Sequence, residues 1–472
     1  MADLQAAFLR SIIEAPDDDG PRLVFADWLE ERGDPRASFI RLQCEADQLC
    51  RHDATAGVRL YRHSLKVAQQ HQARWLGPLR RPGISSWFVR GLVHLKVWAK
   101  WLAAREQQAL VGSEWWAWVE SVQIKRPART LVPALASSPL MASVAAFSLL
   151  PGGLGPSDLQ ALTNSPQLDG LHRLHLNGAC SGDAAAALST SAGLRQLREL
   201  GIWSGNVKPA GLEAFMHSHL AARLRGLEIG DGFPGSDGIG VLGAEALAAS
   251  PNLLGLRSLR LFDYSVKTTG IEALASSPRI AGLNTLALHC GVGTEGVRAL
   301  AASPHLSRLG SLDLAQNGIG DKGAQALAKA GGFRGLACLD LSTNRIGQRG
   351  AIALANSPLL GQLSSLTLNI NEIGDRGVIA LAGAPHVCNL ITLAITQNGI
   401  TDVGVKALGA SPSLAGLKHL NLLFNRIGDV GARSLAGSPF LTGLVSLNLQ
   451  YNPISSVGRR VLRTRFGARL IM

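Results

Sequence analysis

The chain has 472 residues and a formal net charge of +12; 46% of residues are hydrophobic, only 17% are charged, and 53 are glycine. This length allows two or three ordinary domains, and the composition fits a packed protein with many tight turns and excludes wholesale disorder. No apolar run is long enough for a membrane span, the N-terminus "MADLQAAFLRSIIEAPDDDG" lacks the pattern of a signal peptide, and the six scattered cysteines form no C-x-x-C pair, so a cytoplasmic protein with reduced thiols is expected.

Eight of the nine tryptophans precede residue 119, and Trp203 alone follows it, so the first quarter is built differently from the rest. Residues 1–50 carry five Arg against eleven Asp and Glu, whereas residues 51–105 carry eleven Arg and Lys against Asp53; the basic segment is expected to neutralise the acidic one on folding. Leu4–Ile13 reads as an amphipathic helix ended by Pro16 and Asp17-Asp18-Asp19-Gly20. Leu23–Arg32 reads as a second, with Gly33 at its C-terminal cap, and Ala37–Leu49 as a third. Phe25, Trp28, Phe39 and Ile40 are expected to pack together, and Asp27, Glu30 and Glu31 to form a solvated face rather than an acid–base pair. The stretch "PDDDGPRLVFADWLEERGDPRASFIRLQ", from Pro16 to Gln43, resembles a short bacterial repeat-companion domain found at the N-terminus of repeat proteins. That resemblance implies association with a repeat array and carries no catalytic role onto any residue. Val58–Leu76 reads as a basic helix, Trp87–Trp98 as one alternating strand, and "SEWWAWVESVQI" as the end of a cap over the first repeat.

Beyond residue 119 a single unit recurs. Asn317, Asn344, Asn371, Asn398, Asn425 and Asn452 each follow the last by 27 residues, in the pattern L-x-x-L-x-L-x-x-N-x-I-G-D-x-G-x-x-A-L-A-x-S-P. The L-x-L alternation predicts a short strand. The asparagine predicts a turn whose amide serves unpaired backbone at the bend and, in a stack, in the neighbouring coil. Asp321, Asp375, Asp402 and Asp429 are placed to cap a small-residue helix, and Ser-Pro to stop it. This pattern resembles a leucine-rich repeat of the ribonuclease-inhibitor-like subtype, also seen in Ran GTPase-activating protein. Decayed copies run upstream, with strand cores at Val122–Ile124, Phe147–Leu149, Leu174–Leu176, Leu200–Ile202, Leu227–Ile229, Leu259–Leu261 and Leu286–Leu288, and a glycine-rich insertion at 230–240. In these copies Ala179, Gly205, Gly232, Tyr264 and Gly291 are read at the asparagine's place. The expected fold class is α/β: a leucine-rich-repeat solenoid, wound as a horseshoe with a parallel inner sheet and outer helices, plus a small N-terminal helical module. The expected divisions are 1–50 for the companion module, 51–118 for a basic, Trp-rich linker and cap, and 119–472 for about 13 repeats and a C-terminal cap. Arg459, Arg460, Arg463, Arg465 and Arg469 are expected to be the solvated face of that last cap.

No catalytic, cofactor or metal site is expected. His172 and His175 fall on opposite faces of a strand, Asp17-Asp18-Asp19-Gly20 lacks the rest of a calcium loop, and Ile-Gly-Asp-x-Gly is not followed by Gly-Lys-Ser/Thr. The expected function is therefore a non-enzymatic scaffold, monomeric, binding a protein partner on the concave face, with no membrane contact. The late repeats present Asp313, Asp340, Thr367, Ala394, Asn421 and Asn448 there, a weakly charged row. The early repeats present Arg173, His175, Asn177, Glu199, Trp203, Glu228, Arg260, Phe262 and His289, and the residue types commonest at binding hot spots single out Trp203 and Phe262 near the insertion. Two alternatives are a GTPase regulator, by resemblance to the Ran activator's repeats, and a nucleic-acid binder through residues 51–105 and the basic C-terminus.

Overall fold

A computed structural model describes residues 2–16, 18–50, 54–180, 183–203, 207–230 and 238–472. Asp17, Gly205, Gly232 and most of the 230–240 insertion therefore lie outside the described residues. The chain divides into two compact units, Met1–Ile239 with Ser250–Leu256, and Gly240–Ala249 with Arg257–Met472.

The first unit opens with four helices: α1 (Ala2–Glu14), α2 (Gly20–Glu30), α3 (Arg36–Cys50) and α4 (Ala54–Leu76). Asp18 Oδ1 accepts from the Gly20 amide (2.8 Å) and starts α2, which buries Phe25, Ala26 and Leu29. The aromatic residues form two clusters rather than one. Phe25 stacks between Phe8, Trp28 and Trp118, whereas Phe39 meets Trp75 and Phe88 at 5.1 Å each. The split follows from Phe25 and Phe39 lying on different helices, each packed against a different part of the cap. Asp27 and Glu30 are both held by Arg41 (2.6 and 2.7 Å) at the surface.

Trp87–Trp98 makes two strands, not one: β1 (Ser85–Val89) and β2 (Leu92–Trp98) pair antiparallel. Between them Arg90 and Gly91 both take positive φ, 45° and 87°, as a tight hairpin requires. Period-two alternation runs through both arms, so it does not betray the turn. A Cβ on Gly91 would stand 2.3 Å from Ile40 Cγ1, so α3 can cross the hairpin only at a glycine. There Gln43 Oε1 accepts from the Gly91 amide at 2.8 Å. From β2 onward the pairing is parallel, through β3 (Val119–Lys125), β4 (Ala146–Leu149), β5 (Arg173–Asn177), β6 (Glu199–Trp203) and β7 (Gly226–Gly230).

The second unit continues the design with β8 (Ser258–Phe262), β9 (Thr285–Leu288), β10 (Ser311–Asp313), β11 (Cys338–Asp340), β12 (Ser365–Thr367), β13 (Thr392–Ala394), β14 (His419–Asn421), β15 (Ser446–Asn448) and β16 (Leu470–Ile471), all parallel. Leu259, Leu286, Leu312, Leu339, Leu366, Leu393, Leu420 and Leu447 stand in register and are buried. β3 to β15 are the thirteen strands expected from the repeat, and each unit is an α/β solenoid segment with helices on one side of its sheet. One strand and one short helix cannot bury their own leucines, so each coil depends on its neighbours.

Three ladders of hydrogen bonds join successive coils. In the first, the asparagine amide reaches the preceding coil: Asn344 Oδ1 accepts from the Asn317 amide (2.9 Å) while its Nδ2 donates to the Leu314 carbonyl (2.7 Å). Asn371, Asn398, Asn425 and Asn452 repeat this, donating to the carbonyls of Leu341, Leu368, Ile395 and Leu422. In the coil before Asn317 the place belongs to Cys290, not Gly291, because the bend there is one residue shorter. The Cys290 thiol donates to the Leu261 carbonyl and its amide to Asn317 Oδ1, both at 3.1 Å. One coil earlier the buried side chain at the bend is Asp263, while Tyr264 is exposed.

The second ladder corrects an expectation. Asp321 and Asp375 lie inside their own helices and cap the helix of the next coil. Asp321 Oδ1 accepts from the amides of Gly347 and Gly350 (2.8 Å each), and Asp375 from Thr401 and Gly404 (2.8 and 3.0 Å). Asp402 and Asp429 serve Gly428 and Ser455 in the same way. The receiving glycine is obligatory: a Cβ on Gly350, Gly404, Gly431 or Gly458 would stand 2.7, 2.6, 2.6 or 2.4 Å from the visiting carboxylate oxygen. In the third ladder, Ser303, Ser357, Ser411 and Ser438 donate to the carbonyls of Ala275, Ala328, Ala382 and Gly409 at the end of the previous helix. The five C-terminal arginines are all exposed, as expected, and two of them also bond backbone of the preceding coil. Arg465 donates to the Ser438 carbonyl and Arg469 to that of Leu444, so both cap the preceding coil.

Asn371→Ala removes the acceptor of the Asn344 and Ile346 amides and is expected to destabilise the chain by about 1–3 kcal/mol, read as a fall in the urea midpoint. Gly404→Ala is expected to be destabilising on its own and to cost less in an Asp375→Ala background, since the nearest clash partner is then gone and the Ile400 Cγ2 contact at 2.9 Å remains; additive effects in a double-mutant cycle would refute the shared seat.

Candidate functional site

Opposite the helices, alternate strand positions project onto the open face of each sheet. In the first unit Arg173 and Glu199 are partners in one row, and His175, Gly201 and Glu228 form the next. Trp203 lies half-buried against β7: a Cβ on Gly230 would sit 2.5 Å from its ring, and its Nε1 donates to Glu228 Oε1 at 2.6 Å. His175 is seated likewise over Gly201, where a Cβ would meet Nδ1 at 2.5 Å. Burial pushes the His175 imidazole below its ordinary range, with Glu228 partly offsetting that. The glycines thus let two aromatic rings lie along the sheet instead of standing off it. Asn177 is the register partner of Trp203.

Arg173 is engaged within the chain. Its Nη2 stands 2.6 Å from Glu120 Oε1, while Arg22 of α2 reaches Oε2 at 3.1 Å and His94 Nε2 lies 3.6 Å away, beyond hydrogen-bond reach. Glu120 owes its position to a register shift between Val93 and His94 that leaves it out of the ladder. Arg22 and Glu120 are 0% and 1% exposed at their side chains, a buried pair joining the N-terminal helices to the repeats. Burial alone would push the Glu120 carboxyl up; His94, Arg22 and Arg173 outweigh it and hold it at about 2. No sequence expectation included Glu120. The only hint was an acid inside the otherwise apolar alternation of "WVESVQI".

In the second unit Arg260 is exposed on β8, the Phe262 ring packs 4.6 Å from that of His289, and His289 Nε2 is 3.2 Å from Asp313 Oδ2. His289 outweighs the upward effect of burial and lowers the Asp313 carboxyl, whereas burial beside Asp313 raises that of Asp340. Asp313, Asp340, Thr367, Ala394, Asn421 and Asn448 do form one register row, in which Asn448 is buried. Trp203 and Phe262 belong to different compact units.

A further exposed row went unread in the sequence. The residue before each asparagine takes positive φ, from 51° to 61° across Gln316, Thr343, Ile370, Gln397, Phe424 and Tyr451. Phe424 and Tyr451 stack at 4.2 Å and 3°, half or more exposed. Gln316, Thr343, Ile370 and Gln397, with Arg345 and Glu372, line a cavity of about 560 Å³. The signal was the 27-residue register itself, read one position before the asparagine.

Trp75, Trp116 and Trp118 are buried in the cap and present no ring for stacking a base. Among the described residues no three His, Cys, Asp or Glu side chains converge as a metal site, and no helix is long and apolar enough to cross a membrane.

A family model described as Leucine Rich repeat matches residues 305–328, 336–355, 363–382, 386–409 and 417–436. The fold is accordingly a leucine-rich-repeat solenoid. Similar solved structures include the mouse RP105/MD-1 complex (16% identity over 75% of this chain and 59% of that one, TM-score 0.39). Others are an internalin, InlF, from Listeria monocytogenes (19%, 72% and 76%, 0.35) and the Rad7 and Elc1 complex of yeast (13%, 87% and 94%, 0.47). The chain thus spans about three fifths of the matched chain in the mouse complex. No curated protein matches it.

Glu120→Gln leaves Arg22 buried without its counter-charge and is expected to cost about 3–5 kcal/mol in urea unfolding. The pH dependence has a definite sign. The folded carboxyl is depressed from 4.5 to about 2, so its contribution is complete above 4.5 and is lost as pH falls toward 2. The Gln variant should lose that acid limb; an unchanged limb would assign it to other carboxyls.

Proposed function

We propose that the chain is a non-enzymatic, cytoplasmic and monomeric scaffold that binds a protein partner on the open faces of its sheets, with Trp203 as the anchor in the first unit and Phe262 in the second. The observation that carries this reading is the seating of Trp203: a large amphipathic ring laid over Gly230, fixed by Glu228 and still partly exposed. A ring held in one orientation before contact loses little conformational entropy on binding, which is why rigid aromatics dominate protein interfaces. His175, Glu199 and Glu228 surround it, and Arg260 and His289 accompany Phe262. Arg173 serves the partner only indirectly, through Glu120. Residues 1–50 are read as the repeat-companion module of a bacterial protein, joined to the repeats through Arg22.

The test is capture from native lysate by the full chain and by Trp203→Ala, Phe262→Ala and the double variant. Each single substitution is expected to weaken the captured partner by about tenfold or more, in the range of interface hot spots. Capture of the same proteins at the same yield by the double variant would refute the placement.

A further inference from the structure

The outer face of the second unit carries a pattern that binding at the sheet does not use. Five successive helices, Gln348–Ala355, Gly374–Gly383, Asp402–Gly409, Asp429–Ala436 and Ser456–Phe466, each expose one base and one aliphatic residue three positions apart. The pairs are Arg349 with Ile352, Arg376 with Ile379, Val403 with Lys406, Val430 with Arg433, and Val457 with Arg460. The aliphatics are 38%, 43%, 60%, 54% and 55% exposed in that order. Residues three apart share a helix face, and the 27-residue register sets the five faces side by side. A single exposed valine means nothing; the same pairing on five consecutive coils is an organised surface.

The electrostatics favour the cations, most of all at the last helix. The carboxylates of these helices, Asp375, Asp402 and Asp429, are turned into the backbone of the next coil. Glu372 lines the cavity described above. Among the described residues none of the five bases forms an ion pair, and the last helix adds exposed Arg459 and Arg463. The hydrogen-bond ladder that builds the solenoid therefore holds these three carboxylates against backbone amides, still charged, and the bases of the five helices outnumber them.

The geometry points to the surface of a bilayer containing anionic lipid as the partner of this face. Such a surface takes both halves of the pattern: phosphates meet the cations, and the headgroup boundary accepts the aliphatic side chains between them. A nucleic-acid backbone would meet the cations and leave five aliphatics facing water. Contact is peripheral, since no described helix can span a membrane. The sequence by itself predicts no membrane contact, because a pattern split among five coils makes no apolar run.

The full-length chain is mixed with vesicles of phosphatidylcholine alone, or with about one third phosphatidylglycerol, and sedimented. Binding is expected on the anionic vesicles and not on the neutral ones. Replacing Arg349, Arg376, Lys406 and Arg433 by Gln should lower the partition coefficient by about 100-fold or more. Replacing Ile352, Ile379, Val403, Val430 and Val457 by Ser should lower it about tenfold at unchanged charge. Equal binding to both vesicles, an aliphatic variant that binds like the parent, or binding to a duplex oligonucleotide with none to vesicles would overturn the assignment. Should a variant fail to fold, Lys406 of the parent chain decides: anionic vesicles should slow its acetylation by a soluble reagent, and an unchanged rate would refute the proposal.

Discussion

A coil of about 27 residues that bends twice leaves amides and carbonyls at its corners that no strand or helix satisfies, and burying them unpaired would cost more than the leucine core returns. In this chain those groups are satisfied by the neighbouring coil. Asparagine reaches back at the end of the strand, aspartate reaches forward to the start of the next helix, and serine reaches back at the start of the turn after it. A side chain that bonds only across coils has no partner until two coils are stacked. Cooperativity is thus built into the polar residues as firmly as into the leucines.

That arrangement governs what remains for function. An aspartate committed to the next helix needs a glycine opposite it, which explains why Asp and Gly recur together in the motif. It also fixes Asp375, Asp402 and Asp429 on the helix side against backbone, so that, among the described residues, none of the exposed bases of the last five helices draws one into an ion pair. On the strand side glycine has the reverse use. Gly201 and Gly230 are sites where a ring from the preceding strand lies down, so two early repeats that look eroded in sequence are shaped to hold His175 and Trp203.

The N-terminal end works differently, because the first coil has no predecessor. A hairpin and four helices cover it, and the charge that joins them is buried. Glu120 sits between Arg22, Arg173 and His94. Attraction to these partners outweighs desolvation of the carboxylate, and removal of either partner exposes the full desolvation cost of the other.

Much of the fold was legible in the sequence because it rests on a local rule applied repeatedly: L-x-L at a fixed period dictates thirteen strands, and α1 to α4 follow from helical periodicity and caps within ten to twenty residues. The asparagine's double service was legible for the same reason: its fixed spacing puts one amide at every bend, where it bonds its own coil, as Asn317 does at the Ala315 carbonyl, and the neighbouring coil as well. What only tertiary structure decided is which neighbour each polar group serves. Asp375 lies in the first turn of its own helix, yet it caps the following helix, because stacking brings the Thr401 and Gly404 amides to within 2.8 and 3.0 Å of its carboxylate. Cys290 stands in for asparagine because one deleted residue shifts the bend, and Arg173 turns inward because a strand irregularity 53 residues earlier in sequence, and two strands away in the sheet, delivers Glu120 to it. A sequence records what each side chain is able to bond; the stacking of coils determines which of those bonds is shortest.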